Sequence, residues 1–324
     1  MKRLSDPRIR HHLDNEGRLL NNRSSPLLKT VLLPEDERTT IMPLTKIAMS
    51  AAEFERLRKI IYERSGIHFQ DSKKYVLESR LGHRLQELKM SSFDEYVKFL
   101  SIGPYQNDEF QEMFNRITIN ETSFFRNEPQ LEVFESDILP RLLKARETKK
   151  RLRIWSAACS TGEEAYTLAV LVQRTLGVRL PDWKIEILGT DISDKALKVA
   201  MSGKYTKYSI RNTSPLDLKR YFTQEGEYHI IHDDIKSMVV FENLNLHESH
   251  KAQRHGRWDV IFCRNVMIYF DDEMKQLCVN TFEKVLEDDG FLLIGHSESL
   301  RGMKTELQSI AIPRAFCYSK DCFS

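Results

Sequence analysis

The chain has little cysteine: five in 324 residues, scattered, odd in number, and with no CxxC pair. A disulfide framework or a thiolate metal knot is therefore not expected, and the thiols read as reduced groups of a cytoplasmic protein. Cys159 and Cys263 stand in apolar strand-like runs, where a small buried hydrophobe is the ordinary role. No apolar run is long enough to cross a bilayer, so no direct membrane insertion is expected. The first residues carry charges but no apolar h-region, so no secretory leader is expected either. Charge of one sign is lacking too. The formal net charge is +2, which gives no reason to expect a nucleic-acid partner. The ten histidines show no HExxH spacing, and no metal site is expected. His296-Ser297-Glu298 has no GxSxG elbow beside it, which argues against a hydrolase triad. Nothing in the sequence points to oligomerisation, and a monomer is expected.

Aromatics are missing from residues 1–45, which mix charges of both signs with Asn, Ser and Pro. Such a segment has little to bury, and a disordered tail is expected there. From Ser50 the pattern turns helical. Ser50 with Glu53 forms a capping-box signature, and Phe54, Leu57, Ile60 and Ile61 share a face before Gly66. A second helix from about Asp71 offers Val76, Leu81, Leu85 and Leu88 to a core. Its Lys73, Arg80 and Arg84 share another face. Helices beginning at Ser92 and carrying Phe110, Met113, Phe114 and Ile117 complete an all-α domain over 46–119. A linker and lead-in helix follow over 120–150.

Beyond residue 151 the elements alternate. Strands are expected at 152–156, 184–191, 258–263 and 291–295, with helices at about 163–176, from 194, and 273–286. Two further strands are expected around Pro313. This is the signature of a mostly parallel sheet covered on both faces, an α/β domain over 151–324. Residues 221–241 read as a small antiparallel excursion from it.

The most informative stretch is Ile154-Trp155-Ser156-Ala157-Ala158-Cys159-Ser160-Thr161-Gly162-Glu163-Glu164. It reads as strand, tight turn and helix start, where open α/β sheets bind nucleotide-like cofactors. Its single glycine and acidic helix start fit a dinucleotide poorly. Carboxylates there suit the helix dipole but repel a pyrophosphate. A cationic cofactor without phosphates fits better. Asp191 ends the second strand, where it serves either as a ribose acceptor or as a helix N-cap. Asn265 follows the third strong strand, either lining a crevice or standing in an ordinary loop. Asn120-Glu121-Thr122-Ser123-Phe124-Phe125-Arg126 is either a cleft wall or a hinge packing its two phenylalanines.

Taken in order, several segments resemble the chemotaxis receptor methyltransferases of the CheR type. They are Asn120-x-Thr122-x-x-x-Arg126, Trp155 to Glu164, Asp191, Asn245-Leu246, Cys263 to Phe270, and Gly295-His296-Ser297-Glu298. The resemblance implies a Rossmann-like class I methyltransferase sheet with a small antiparallel β-subdomain, preceded by an all-α domain. It implies S-adenosyl-L-methionine as cofactor and transfer of its methyl group to glutamate carboxylates on the cytoplasmic helices of methyl-accepting chemoreceptors. It implies cofactor contacts from Asn120, Thr122, Arg126, Ala157, Glu164, Asp191, Asn245, Leu246, Arg264 and Asn265. Arg126 and Tyr269 are expected at the transfer site, and Lys73, Arg80 and Arg84 on the surface that meets the acidic acceptor. A methyltransferase of another specificity and a cofactor-binding adaptor without activity are the competing readings.

Overall fold

The computed structural model describes residues 47–102 and 106–321. The tail expected over 1–45 and Cys322 lie outside these residues. Helix α1 (Ala51–Ser65) starts with the reciprocal cap of the sequence reading. Ser50 Oγ accepts the Glu53 N–H, and the Glu53 carboxylate accepts the Ser50 N–H. Gly66 ends it at φ 71°. Helices α2 (Lys74–Glu87), α3 (Phe93–Ser101) and α4 (Gln106–Ile117) complete the helical domain. Leu57, Ile61, Leu77, Leu81, Leu85, Phe93, Tyr96 and Met113 form its core, all fully buried. Val76, expected in that core, faces a cleft instead, and Leu77 takes its place.

Helices α5 (Glu128–Val133) and α6 (Leu139–Ala145), joined by a π turn, lead into β1 (Arg151–Ala157). Then follow α7 (Glu163–Leu176), β2 (Lys184–Asp191), α8 (Asp194–Ser202), β3 (Lys204–Tyr205), α9 (Pro215–Tyr221), β4 (Phe222–Glu225) and β5 (Tyr228–Ile231). After these come α10 (Asp233–Lys236), β6 (Val239–Asn243), α11 (Ser249–Gln253), β7 (Trp258–Cys263), α12 (Asp272–Val285) and β8 (Leu286–Ile294). The short strands β9 (Gln308–Ser309) and β10 (Cys317–Ser319) close the order.

The main sheet runs β6-β2-β1-β7-β8-β10-β9. Strands β6, β2, β1, β7 and β8 are parallel, and β10 is antiparallel to both of its neighbours. Its two faces follow the period of two. Leu152, Ile154, Val260, Phe262, Phe291 and Leu293 join one core, and Trp155, Ala157, Ile261, Cys263, Leu292 and Ile294 the other.

The excursion expected over 221–241 divides. Strands β4 and β5 pair antiparallel, with β3 added at the other edge of β5. Val239–Asn243 instead pairs parallel with β2 at the edge of the main sheet. Gly290 lies inside β8, where Asp259 and Glu287 carbonyls leave no room for a Cβ.

Candidate active site

The register places the site. Ala157 lies opposite Thr190 on one side and Cys263 on the other, and Cys263 lies opposite Ile294. One residue further on, Ala158, Asp191, Arg264 and Gly295 form a row at the carboxyl ends of four adjacent strands. This is where the strand order reverses and where open α/β sheets hold ligands. Alternate residues of the turn after β1 take left-handed backbone, Ala158 at φ 61°, Ser160 at 53° and Gly162 at 89°. That folds the chain tightly between strand and helix. At Gly162 a Cβ would lie 2.7 Å from Ala200 Cβ and 3.0 Å from the Phe241 ring. Gly162→Ala is therefore expected to cost about 2–5 kcal/mol, from a left-handed alanine and an overpacked contact. Thermal melts of the variant check it, and an unchanged melting point contradicts the packing described.

The acidic pair at the start of α7 splits. Glu163 is buried, accepts from Thr161 Oγ1 at 2.6 Å and points away from the cleft, and burial pushes its carboxyl up. Glu164 turns to the cleft. It accepts from Ser156 Oγ at 2.7 Å and from Arg264 Nη1 at 3.1 Å. Arg264 Nη2 donates to the Arg126 carbonyl at 2.7 Å. Burial lowers the Arg264 pKa, and the Glu164 carboxylate opposes that shift. Asp191 is buried and accepts the Ser160 N–H at 2.8 Å and the Ser193 N–H at 2.9 Å. Burial raises its carboxyl pKa, and those backbone donors hold it down. The N-cap role left open for Asp191 falls to Ser193, whose side chain accepts from Ala196.

A cavity of about 720 Å³ opens between the helical domain and this row, a size suited to a cofactor. Lys73, Arg80, Asn120, Asp191, Asn245, Leu246, Asn265 and Tyr269 all border it. A smaller polar recess of about 50 Å³ adjoins it, bordered by Thr122, Arg126, Glu164 and Arg264. Ile119, Ala158, Ser160 and Asn265 border both. The two domains are stitched at this cleft. The His68 N–H donates to the Tyr269 carbonyl at 2.9 Å, Asn245 Nδ2 to the Arg64 carbonyl at 2.6 Å, and Ser193 Oγ to Asn115 Oδ1 at 2.8 Å. Burial raises the Tyr269 phenol pKa, and the Arg126 and Arg80 cations act on it in the opposite sense.

Two expectations change, and one open alternative is decided. Ala157 is fully buried within β1, and Ala158 borders the cleft in its place. Arg84 offers no free cation. It forms a two-point ion pair with buried Glu109, at 3.0 and 2.6 Å, and a further contact to Glu87. The phenylalanines of the linker are structural, as the hinge reading had it. Phe124 packs edge-on against Tyr205 and Phe222, while Asn120, Thr122 and Arg126 around it border the cleft. Sequence reasoning passed over Ser156, which orients Glu164, and gave no role to Glu298, whose carboxylate receives the Asn265 and Val266 N–H groups.

The donor set fits an amino-acid-bearing sulfonium nucleoside. Ser160 Oγ and Arg264 Nε are buried without a partner among the described residues, and both residues border the recess. The recess offers the Glu164 carboxylate to an ammonium and the Arg264 guanidinium to a carboxylate. Asp191 adds a buried carboxylate to the border of the larger cavity.

Comparison with known proteins agrees. Residues 120–316 match the family described as CheR methyltransferase, SAM binding domain, and residues 52–118 match CheR methyltransferase, all-alpha domain. The chain is similar to the chemotaxis protein methyltransferase of Borreliella burgdorferi, 37% identical over 263 residues, which span 80% of this chain and 92% of that one. It is similar to the Salmonella typhimurium protein of the same name, 34% identical over 299 residues, spanning 90% and 99%. The Escherichia coli protein is 35% identical over 279 residues, spanning 83% and 92%. With its parallel sheet, its cationic-nucleoside cleft and these matches, the chain belongs to the CheR methyltransferase family and is an S-adenosyl-L-methionine-dependent methyltransferase of chemotaxis.

Proposed function

We propose that this enzyme methylates glutamate side-chain carboxylates on the cytoplasmic helices of methyl-accepting chemoreceptors, acting as a cytoplasmic monomer. The observation that carries the reading is the character of the cleft mouth. The recess at Arg126 and Arg264 continues into a cavity bordered by Lys73 and by Arg80, whose Nη1 donates to the Ile117 and Thr118 carbonyls. Cations so placed favour an anionic acceptor.

Bound S-adenosyl-L-methionine supplies an electrophilic methyl group on a sulfonium. The acceptor glutamate is already ionised near neutral pH, so no general base is demanded of the protein. What the chain must supply is alignment and exclusion of water. In this reading Asp191 holds the ribose, Asn245 and Leu246 flank the adenine, and Glu164, Arg264, Asn265, Asn120 and Thr122 hold the remainder. Arg126 and Tyr269 orient the acceptor carboxylate. No helix among the described residues is long and apolar enough to cross a membrane.

The test is mass spectrometry of receptor peptides after incubation with the enzyme and cofactor. The methyl increment is expected on glutamate side chains. An increment on lysine or on a backbone nitrogen refutes the assignment. A second test concerns the rim. K73E and R80E are each expected to lower the initial methylation rate about 3–10-fold at low salt, with the gap closing as salt screens the rim. A deficit that does not change with ionic strength contradicts the steering role.

A further inference from the structure

We propose that Glu298 is a positioning residue of the cofactor site, acting through the Arg264-Asn265-Val266 loop. Its carboxylate is buried just beyond β8. Three backbone donors converge on its two oxygens. Oε2 accepts the Gly295 N–H at 2.6 Å and the Asn265 N–H at 2.9 Å, and Oε1 accepts the Val266 N–H at 3.0 Å. Asn265 itself sits at φ 60°, a left-handed conformation that most residues avoid. The adjacent Gly295 has no spare space. A Cβ there would approach Glu298 Oε2 to 2.6 Å, the Asn265 nitrogen to 3.0 Å and Asn265 Nδ2 to 3.1 Å.

These facts have one consequence for the site. Asn265 borders both the large cavity and the recess, and Arg264 before it pairs with Glu164. Both are at the end of β7, where an asparagine tolerates the left-handed step without being confined to it. The group that fixes it there is the Glu298 carboxylate, reaching over from the turn after β8. Only an ionised carboxylate fits the position, because it accepts at both oxygens and donates at neither. A glutamine of the same shape must turn an NH₂ group toward at least one backbone N–H. The loop then loses a fixed point, and Asn265 and Arg264 lose their place at the cofactor. Glu298 touches neither reactant in this account, and the loop it fixes is built before any ligand arrives.

The inference rests on the cofactor assignment and is independent of the acceptor proposed above. Its test therefore uses cofactor binding first. E298Q in the full chain is expected to weaken S-adenosyl-L-methionine binding at least tenfold by calorimetry. KM for the cofactor should rise in parallel, while kcat at saturating cofactor and KM for receptor-bearing membranes stay within about threefold of wild type. A general structural defect would instead lower the active fraction and leave the cofactor KM in place. Cofactor affinity within twofold of wild type in folded E298Q overturns the proposal. If E298Q does not fold, hydrogen exchange on the wild-type protein decides. The amides of Asn265, Val266 and Gly295 should be strongly protected without cofactor, and fast exchange there overturns the proposal.

Discussion

E164A is expected to lose measurable cofactor binding and to melt well below the wild type. Glu164 is the carboxylate partner of Arg264, whose side chain is only 3% exposed. Removing one partner of a buried ion pair costs about 3–5 kcal/mol, because the remaining charge has no water to turn to. For a chain of this size the melting point should fall by roughly 4–7 °C. The Ser156 hydroxyl loses its acceptor in the same substitution. E164Q keeps an oxygen for Ser156 but not the charge for Arg264, and should fall between the two. Calorimetric titration with the cofactor, beside thermal melts, checks both effects. A variant that melts and binds like wild type contradicts the role given to this pair.

R126A should separate transfer from binding. The Arg126 guanidinium donates to the Glu121 carbonyl at 2.9 Å and has no other hydrogen-bond partner among the described residues. The Arg126 backbone carbonyl is what anchors Arg264, and an alanine retains it. The cofactor loop should therefore survive the substitution while the transfer site loses its cation. A charged donor aimed at a reacting group is worth about 10²–10³ in kcat, and a loss of that order is expected. Cofactor affinity should change far less. Initial rates at saturating cofactor and acceptor measure the first quantity and calorimetry the second. Near wild-type transfer in R126A removes Arg126 from the catalytic machinery.

Much of this was legible in the sequence because it follows from periodicity and caps. The alternation in β1, β7 and β8 assigns each side chain to one of two cores, and Ser50 with Glu53 marks the first helix. Gly162 and Asp191 stand where strand ends and helix starts put them. What stayed hidden depends on partners far away in the chain. Val239–Asn243 alternates like any half-buried strand, and only its pairing with β2 shows which sheet it joins. Arg84 looks like its neighbours on the basic face of α2 until Glu109, 25 residues on, claims it. The left-handed steps at Ala158 and Ser160 fall on residue types that do not advertise them, as a glycine would. The cleft residue at this turn is therefore Ala158, one position beyond the Ala157 that the resemblance implies. Glu298 reads as a polar residue after a strand, and its role emerges only when β7 and β8 lie side by side.

The central claim is that the acceptor is a carboxylate and the product an ester. The direct measurement is to incubate the protein with methyl-labelled S-adenosyl-L-methionine and receptor-bearing membranes, then treat with base. Label on receptor that leaves as volatile methanol is the expected result, since base cleaves a carboxyl methyl ester. Label that stays on the receptor through base treatment, or no label at all, contradicts the account.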